Sequence, residues 1–349
     1  LKNNKLIVGI ISVILGLLAG ALLMTLIGNN PFTGYTYLFK GGLMSIERVG
    51  NTLATATPII LTGLSVAFAF KTGLFNIGAS GQMLMGGLFA TAIALTLNLP
   101  KAVMLPIIIL ASMIGGGIWG IVPGYLKAKF NVHEVVATIM MNWIAYWIVY
   151  YTIPAYFKGQ SLETESRLIP EYSSLKLGWL TELFNGSYIN LGFFIAVIVV
   201  IIISVILNRT VTGFRMKATG FNKDAALYSG MNVNQNIVLS MVIAGALSGL
   251  AGATFYVGYA SNMQIGILPT AGFDGIAVAL LGANNPYGAL AGAIFFGLLH
   301  SGKGFMSAMT DIPPEIGDTI IATIIYFSAV SVLIERGLNK LTLKLKEKK

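Results

Sequence analysis

An all-α, polytopic transmembrane helix bundle is the fold class this sequence predicts, and three observations predict it. Of the 349 residues, 56% are apolar and only 10% charged, against about 25% charged in an average soluble domain. The apolar residues come in blocks near 20 long, the length that crosses a hydrocarbon core about 30 Å thick. Glycine is plentiful, at 41 residues, and small residues let membrane helices pack backbone against backbone.

Ten blocks read as spans, at about 6–28, 50–70, 77–97, 102–126, 135–153, 190–208, 235–257, 271–284, 287–302 and 316–334. The first follows Lys2 and Lys5 and reads as a retained anchor, because no small-residue cleavage site follows its apolar run. The eighth and ninth are short, separated by Gly282 and Asn284-Asn285-Pro286. Broken helices or a re-entrant pair are therefore expected over 271–302, where irregular backbone must be buried in protein or line a wet cavity.

Basic residues set the orientation. With the N-terminus inside, fifteen of the 22 lysines and arginines fall in internal segments, as the positive-inside rule requires. Ten crossings then put both termini in the cytoplasm. The chain reads as one transmembrane domain over 1–349. It has an external loop at about 154–189, a basic internal loop at about 208–234 and a basic tail at 335–349.

Composition also excludes chemistry. There is no cysteine and there are only two histidines, His133 and His300, so thiolate or histidine metal sites and a cysteine nucleophile are not expected. No nucleophile–base pair assembles for an enzyme. The net charge of +9 follows the cytoplasmic loops and tail and is no nucleic-acid footprint. Ion-coupled carriers often use several buried acids; here Asp274 is nearly alone. That weakens a secondary carrier and favours a conduit powered from outside its own sequence.

Four segments carry functional candidates. In Thr72–Met83, Asn76, Ser80 and Gln82 are costly in lipid unless their hydrogen bonds are met. Phe75 offers an aromatic face, and together these suit a lining for a neutral, hydroxyl-rich solute or an ordinary polar turn. In Asn131–Trp143, Glu134 opens a helix where its charge meets the dipole favourably. Asn142 and Trp143 lie deeper as path candidates, unless Asn142 and Thr138 serve helix–helix hydrogen bonding. In Gly213–Val233, a short surface helix with small residues suits a partner's groove or an anionic lipid surface. In Gly272–Pro286, Phe273 and Asp274 lie in or beside the membrane. A functional role is the default for such an acid, with helix capping as the alternative.

At these segments the chain resembles the permease family of bacterial ABC importers that includes the ribose, branched-chain amino acid and nucleoside systems. It is most similar to the nucleoside branch. Phe75-Asn-Ile-Gly-Ala-Ser-Gly-Gln82 looks like that branch's Phe-Asn-Ile/Leu-Gly-x-x-Gly-Gln signature, and His133-Glu134 through Asn142 resembles its Asn-Glu-x-x-x-Thr-x-Met-x-Asn stretch. Gly213 to Val233 resembles the coupling region Arg-x-x-Gly-x-Asn-x-x-Ala-Ala-x-x-x-Gly. The resemblance implies a permease subunit in a bacterial cell membrane, with nucleosides as substrate and a simple-sugar permease or an ion-coupled carrier as alternatives. The implied partners are a second permease, a cytoplasmic ATPase that uses ATP and Mg, and an extracytoplasmic binding lipoprotein. No cofactor is then expected in this chain. The expected substrate path is Phe75, Asn76, Ser80, Gln82, Asn142, Trp143, Phe273 and Asp274. ATPase coupling is expected at Arg215, Lys217, Gly220, Asn222, Ala225, Ala226 and Gly230.

Overall fold

The computed structural model of the chain describes residues 2–330 except position 161, with side chains from residue 7 onward. The basic tail at 335–349 and the end of the tenth expected span lie outside the described residues.

The described residues form fourteen α-helices. The N-terminal half holds α1 (Lys2–Leu26), α2 (Pro31–Leu43), α3 (Ile46–Lys71), α4 (Ala79–Thr96), α5 (Lys101–Phe130), α6 (Glu134–Tyr156) and α7 (Gly178–Leu183). Then follow α8 (Leu191–Arg209), α9 (Val211–Phe221), α10 (Lys223–Tyr228), α11 (Val233–Gly252), α12 (Ala271–Leu281), α13 (Pro286–Met309) and α14 (Pro314–Ala329). A π-helical segment, Ala253–Tyr259, continues α11. Local chemistry sets many of the starts. Asn30, Ser45, Asn190, Thr210, Asn222, Asn232 and Asn285 each accept a backbone N–H in the first turn of the following helix, the usual use of a short polar side chain at an N-cap.

Among the described residues, eight helices are long and apolar enough to cross a membrane: α1, α3, α4, α5, α6, α8, α13 and α11 with its π extension. This is a multi-pass membrane protein. Of the ten expected spans, the eighth falls short, since α12 has 11 residues, and the tenth is described only through the 16-residue α14 and position 330. The ninth, expected to be short, is a 24-residue helix, so the broken pair is one half-helix followed by one full one. At 1.5 Å per residue α12 is only about 16 Å long. Irregular backbone at 260–270 leads into it. At its outer part, Gln264 bridges Glu165, and Ile169 N–H donates to the Ser261 carbonyl at 2.9 Å, tying the segment to the 157–170 loop. At its inner part, the Pro269 carbonyl accepts from Ser80 Oγ at 3.0 Å.

α3 is the hub. Its membrane-length window is 83% buried, against 28% for α1 at the periphery. A second seam joins α4, α5 and α11 through glycines. Gly116 and Gly120 on α5 meet Gly249, Gly245 and Met241 on α11 in antiparallel order, and Gly86 on α4 meets Gly249 from the other side. A Cβ on Gly116 would lie 2.6 Å from the Gly249 Cα, so only glycine allows this approach.

Candidate functional site

Three departures from regular helix converge on one cavity. Pro58 lies inside α3 and cannot donate to the carbonyl four residues back. The π segment of α11 shifts the helix register, a feature common at functional sites. The irregular backbone before α12 brings a helix start into the bundle, where the Thr62 hydroxyl donates to the Ala271 carbonyl at 2.6 Å. Between them is a cavity of about 100 Å³ lined by Pro58, Phe255, Tyr259, Thr270, Asp274 and His300, among others. Asp274 is 6% exposed, and its Oδ2 lies 3.1 Å from His300 Nε2 on α13. Its carboxylate thus reaches across to the neighbouring helix. The capping alternative is not what the structure contains, because no side chain caps the start of α12.

Beside the cavity is a buried polar lock. Asn76 Nδ2 donates to Gln82 Oε1 at 2.9 Å, while Asn76 Oδ1 accepts from the Gly78 N–H at 3.1 Å. Asn142 Oδ1 accepts from the Gly81 N–H at 2.8 Å, and its Nδ2 donates to the Ile77 carbonyl at 3.0 Å. Ser65 on α3 donates to the Ala244 carbonyl at 2.6 Å and accepts from Ser248 at 2.9 Å. With Asn76 0%, Ser80 0%, Gln82 1% and Asn142 3% exposed, these groups satisfy one another and the 77–81 backbone. They clamp the 72–83 turn to α3, α6 and α11.

The path candidates therefore separate. Of the eight, only Asp274 lines the cavity. Asn76, Gln82 and Asn142 form the lock, and Ser80 holds the chain just before α12. Phe75 stacks on Phe70, ring centroids 5.1 Å apart. Trp143 is half exposed on the outer surface of α6, in ring contact with Tyr146 at 5.6 Å, and Phe273 is 40% exposed. Thr138 donates to the Glu134 carbonyl of its own helix at 2.8 Å, the bland use of a helical threonine. Glu134 pairs with Lys127 at 2.9 Å across the α5–α6 turn.

The residues over 211–230 form two short helices, α9 and α10, hinged at Asn222, whose Oδ1 accepts the Ala225 N–H at 3.0 Å. Arg215, Asn222, Ala225 and Gly230 are exposed. Ala226 is 3% exposed, in contrast to Ala225 beside it. Gly220 packs against the end of α3, where an added Cβ would lie 2.7 Å from the Thr72 carbonyl carbon. The Thr219 hydroxyl accepts from Asn236 Nδ2 of α11 at 2.9 Å. Phe221 and Tyr228, at 95% and 92% exposed, are the apolar surface that sequence reasoning did not single out. Their signal was two aromatics flanking the short run Asn222–Leu227.

His300 was also passed over as a stray histidine. The available signal was that an intramembrane acid requires a partner, and a neighbouring apolar span carries one imidazole. Among the described residues, no three His, Asp or Glu side chains converge as a metal site would need.

The profile of a family described as branched-chain amino acid transport system / permease component matches residues 48–329. The chain is 40% identical to the nucleoside ABC transporter permease protein NupB of Lactococcus lactis subsp. cremoris, over 97% of this chain and 94% of that protein. It is 41% identical to the guanosine ABC transporter permease protein NupP of Bacillus subtilis, over 98% of each. It is also 24% identical to a second L. lactis protein, the nucleoside ABC transporter permease protein NupC, over 72% of this chain and 80% of that one.

Proposed function

The chain belongs to the branched-chain amino acid transport permease family, and from that membership we propose that it is the permease subunit of an ATP-driven nucleoside importer. The observation that carries this reading is 40–41% identity along 97–98% of the chain to permeases named for nucleoside and guanosine transport. The similarity extends along nearly the whole chain, including the helices around the Asp274 cavity.

The partners follow from the same comparison and from the surfaces. L. lactis holds two permeases similar to this chain, NupB and NupC, which supports a heterodimer of two related permeases here. The exposed α9–α10 pair, with Phe221 and Tyr228 standing out from it, is the surface that best suits a cytoplasmic ATPase. Hydrolysis of ATP with Mg belongs to that subunit. The external loop holds a second cavity, of about 330 Å³, around Gly159–Pro170, and this face suits a substrate-binding lipoprotein. Both termini are then cytoplasmic.

In this mechanism, closure of the ATPase moves α9 and α10. Gly220 passes that movement to the end of α3 and the 72–83 turn. The Asn76–Gln82 lock holds this turn in one piece, and Ser80 carries the shift to Pro269 and α12. The half-helix bearing Asp274 then opens or shuts the cavity. Asn76, Ser80, Gln82 and Asn142 act on the route through this lever.

Reconstitution tests the function. Proteoliposomes holding this chain, a second permease, the ATPase and the binding protein are expected to accumulate nucleoside only with ATP. Uptake by this chain alone under a proton or sodium gradient would overturn the importer in favour of a secondary carrier.

A further inference from the structure

The geometry of the cavity points to a specific solute contact: we propose that Asp274 and His300 receive the vicinal hydroxyls of the solute's sugar ring. This rests on the nucleoside reading above and names the part of the nucleoside that the cavity takes.

Hydrogen-bond polarity comes first. An ionised carboxylate only accepts hydrogen bonds. His300 Nε2 lies 3.1 Å from Asp274 Oδ2, and a proton held on Nε2 leaves Nδ1 as an acceptor. The Thr55 hydroxyl at the rim spends its proton on the Asn51 carbonyl at 2.9 Å, so its oxygen is left to accept. Asp274 and His300 thus set acceptors side by side, while the Tyr259 and Thr270 hydroxyls, also in the lining, can donate. A vicinal diol supplies two donors on neighbouring carbons, and its oxygens can accept in return.

Size and surface agree. A cavity of about 100 Å³ holds several water-sized probes and has room for one small saturated ring. Pro58, Ile59 and Phe255 supply the rest of the wall, an apolar surface suited to the C–H faces of such a ring.

The test uses the reconstituted four-component transporter with guanosine, 2′-deoxyguanosine and 3′-deoxyguanosine as probes. The readout is the ratio of initial uptake rates, ribonucleoside over each deoxy analogue. The same binding protein serves wild type and variants, so its own preference cancels when the ratios are compared. Asp274→Asn is expected to slow all uptake and to reduce the ribo-over-deoxy ratio about tenfold, the loss of a hydrogen bond to a charged group. His300→Phe keeps the ring volume, removes both nitrogens and is expected to reduce the ratio in the same direction. Equal slowing of all three solutes, with the ratio intact, overturns the proposal and makes the pair a brace for α12. Failure of both variants to copurify with the partner subunits has the same meaning. A wild-type transporter that imports none of the three probes overturns the nucleoside reading, and this proposal falls with it.

Discussion

Gly220 of α9 sits so close to the Lys71 carbonyl at the end of α3 that no Cβ fits between them. The contact joins the exposed helix pair to the turn that holds the Asn76 lock, with backbone on both sides. Gly73, next in line at φ +75, adopts a left-handed conformation that glycine tolerates and other residues resist. Gly220→Val forces α9 away from α3, an overpacking cost of about 1–3 kcal/mol. ATP hydrolysis by the assembled complex should continue while nucleoside uptake falls by more than tenfold. Measuring both rates on the same proteoliposomes checks this, and parallel loss of the two would mean that α9 only docks the ATPase.

The lock makes a second prediction. Asn76→Ala removes the acceptor for the Gly78 N–H and the partner of Gln82, both buried. Each group left unpaired costs about 1–3 kcal/mol. Uptake should fall while assembly survives. The double variant with Gln82→Leu should recover part of the lost thermal stability, since removing both partners is less costly than removing one. Additive losses in the double-mutant cycle would show that the two amides act independently.

Much of this architecture was legible because hydrophobic thickness writes itself into sequence. Eight of the ten expected spans emerge as membrane-length helices. The departures have local causes. The ninth block seemed to stop near Ser301-Gly302-Lys303, but α13 continues, because Lys303 pairs with Asp318 of α14 and its charge is met. α2 was missed because Gly34, Gly41 and Gly42 resemble a loop; they are there for packing, Gly41 lying against Gly302 of α13. The polar residues of the 72–83 segment stood out by type, yet type could not say whether they faced a solute or each other. Nothing in Ala253–Tyr259 announced a π segment, and the partnership of Asp274 with His300 joins residues 26 apart in the chain on two different helices.

The glycine seam gives a third prediction, about stability. A Cβ on Gly249 would lie 2.9 Å from the Gly116 Cα, with Gly86 of α4 pressing from the other side. Backbone cannot move aside as a side chain can. Gly249→Ala should destabilise the detergent-solubilised protein by about 1–3 kcal/mol, read as a lower midpoint of thermal unfolding. Gly304→Ala is the control: an added Cβ there meets nothing within 4 Å, and its midpoint should stay close to that of the wild type.

Phe221 and Tyr228 give the fourth. Both are more than nine-tenths exposed on helices too short to stand alone, the arrangement expected of anchors awaiting a partner's pocket. Phe221→Asp and Tyr228→Asp should abolish copurification of the ATPase without shifting the thermal midpoint, because neither side chain packs in the bundle. Retained copurification would move the docking surface elsewhere on the chain.

Orientation yields the last prediction, and the sequence makes it simple to test. With no native cysteine, each introduced thiol is the only one in the chain. Glu182 on α7 precedes the membrane-length α8 and Lys223 on α10 follows it, so one crossing separates them. Glu182→Cys should therefore react with a membrane-impermeant maleimide on intact cells. Lys223→Cys should react only after the membrane is opened. The positive-inside rule assigns the second position to the cytoplasm, where α10 would meet the ATPase. Labelling of Lys223→Cys from outside would invert the molecule and remove the ATPase from the α9–α10 surface, taking the proposed lever with it.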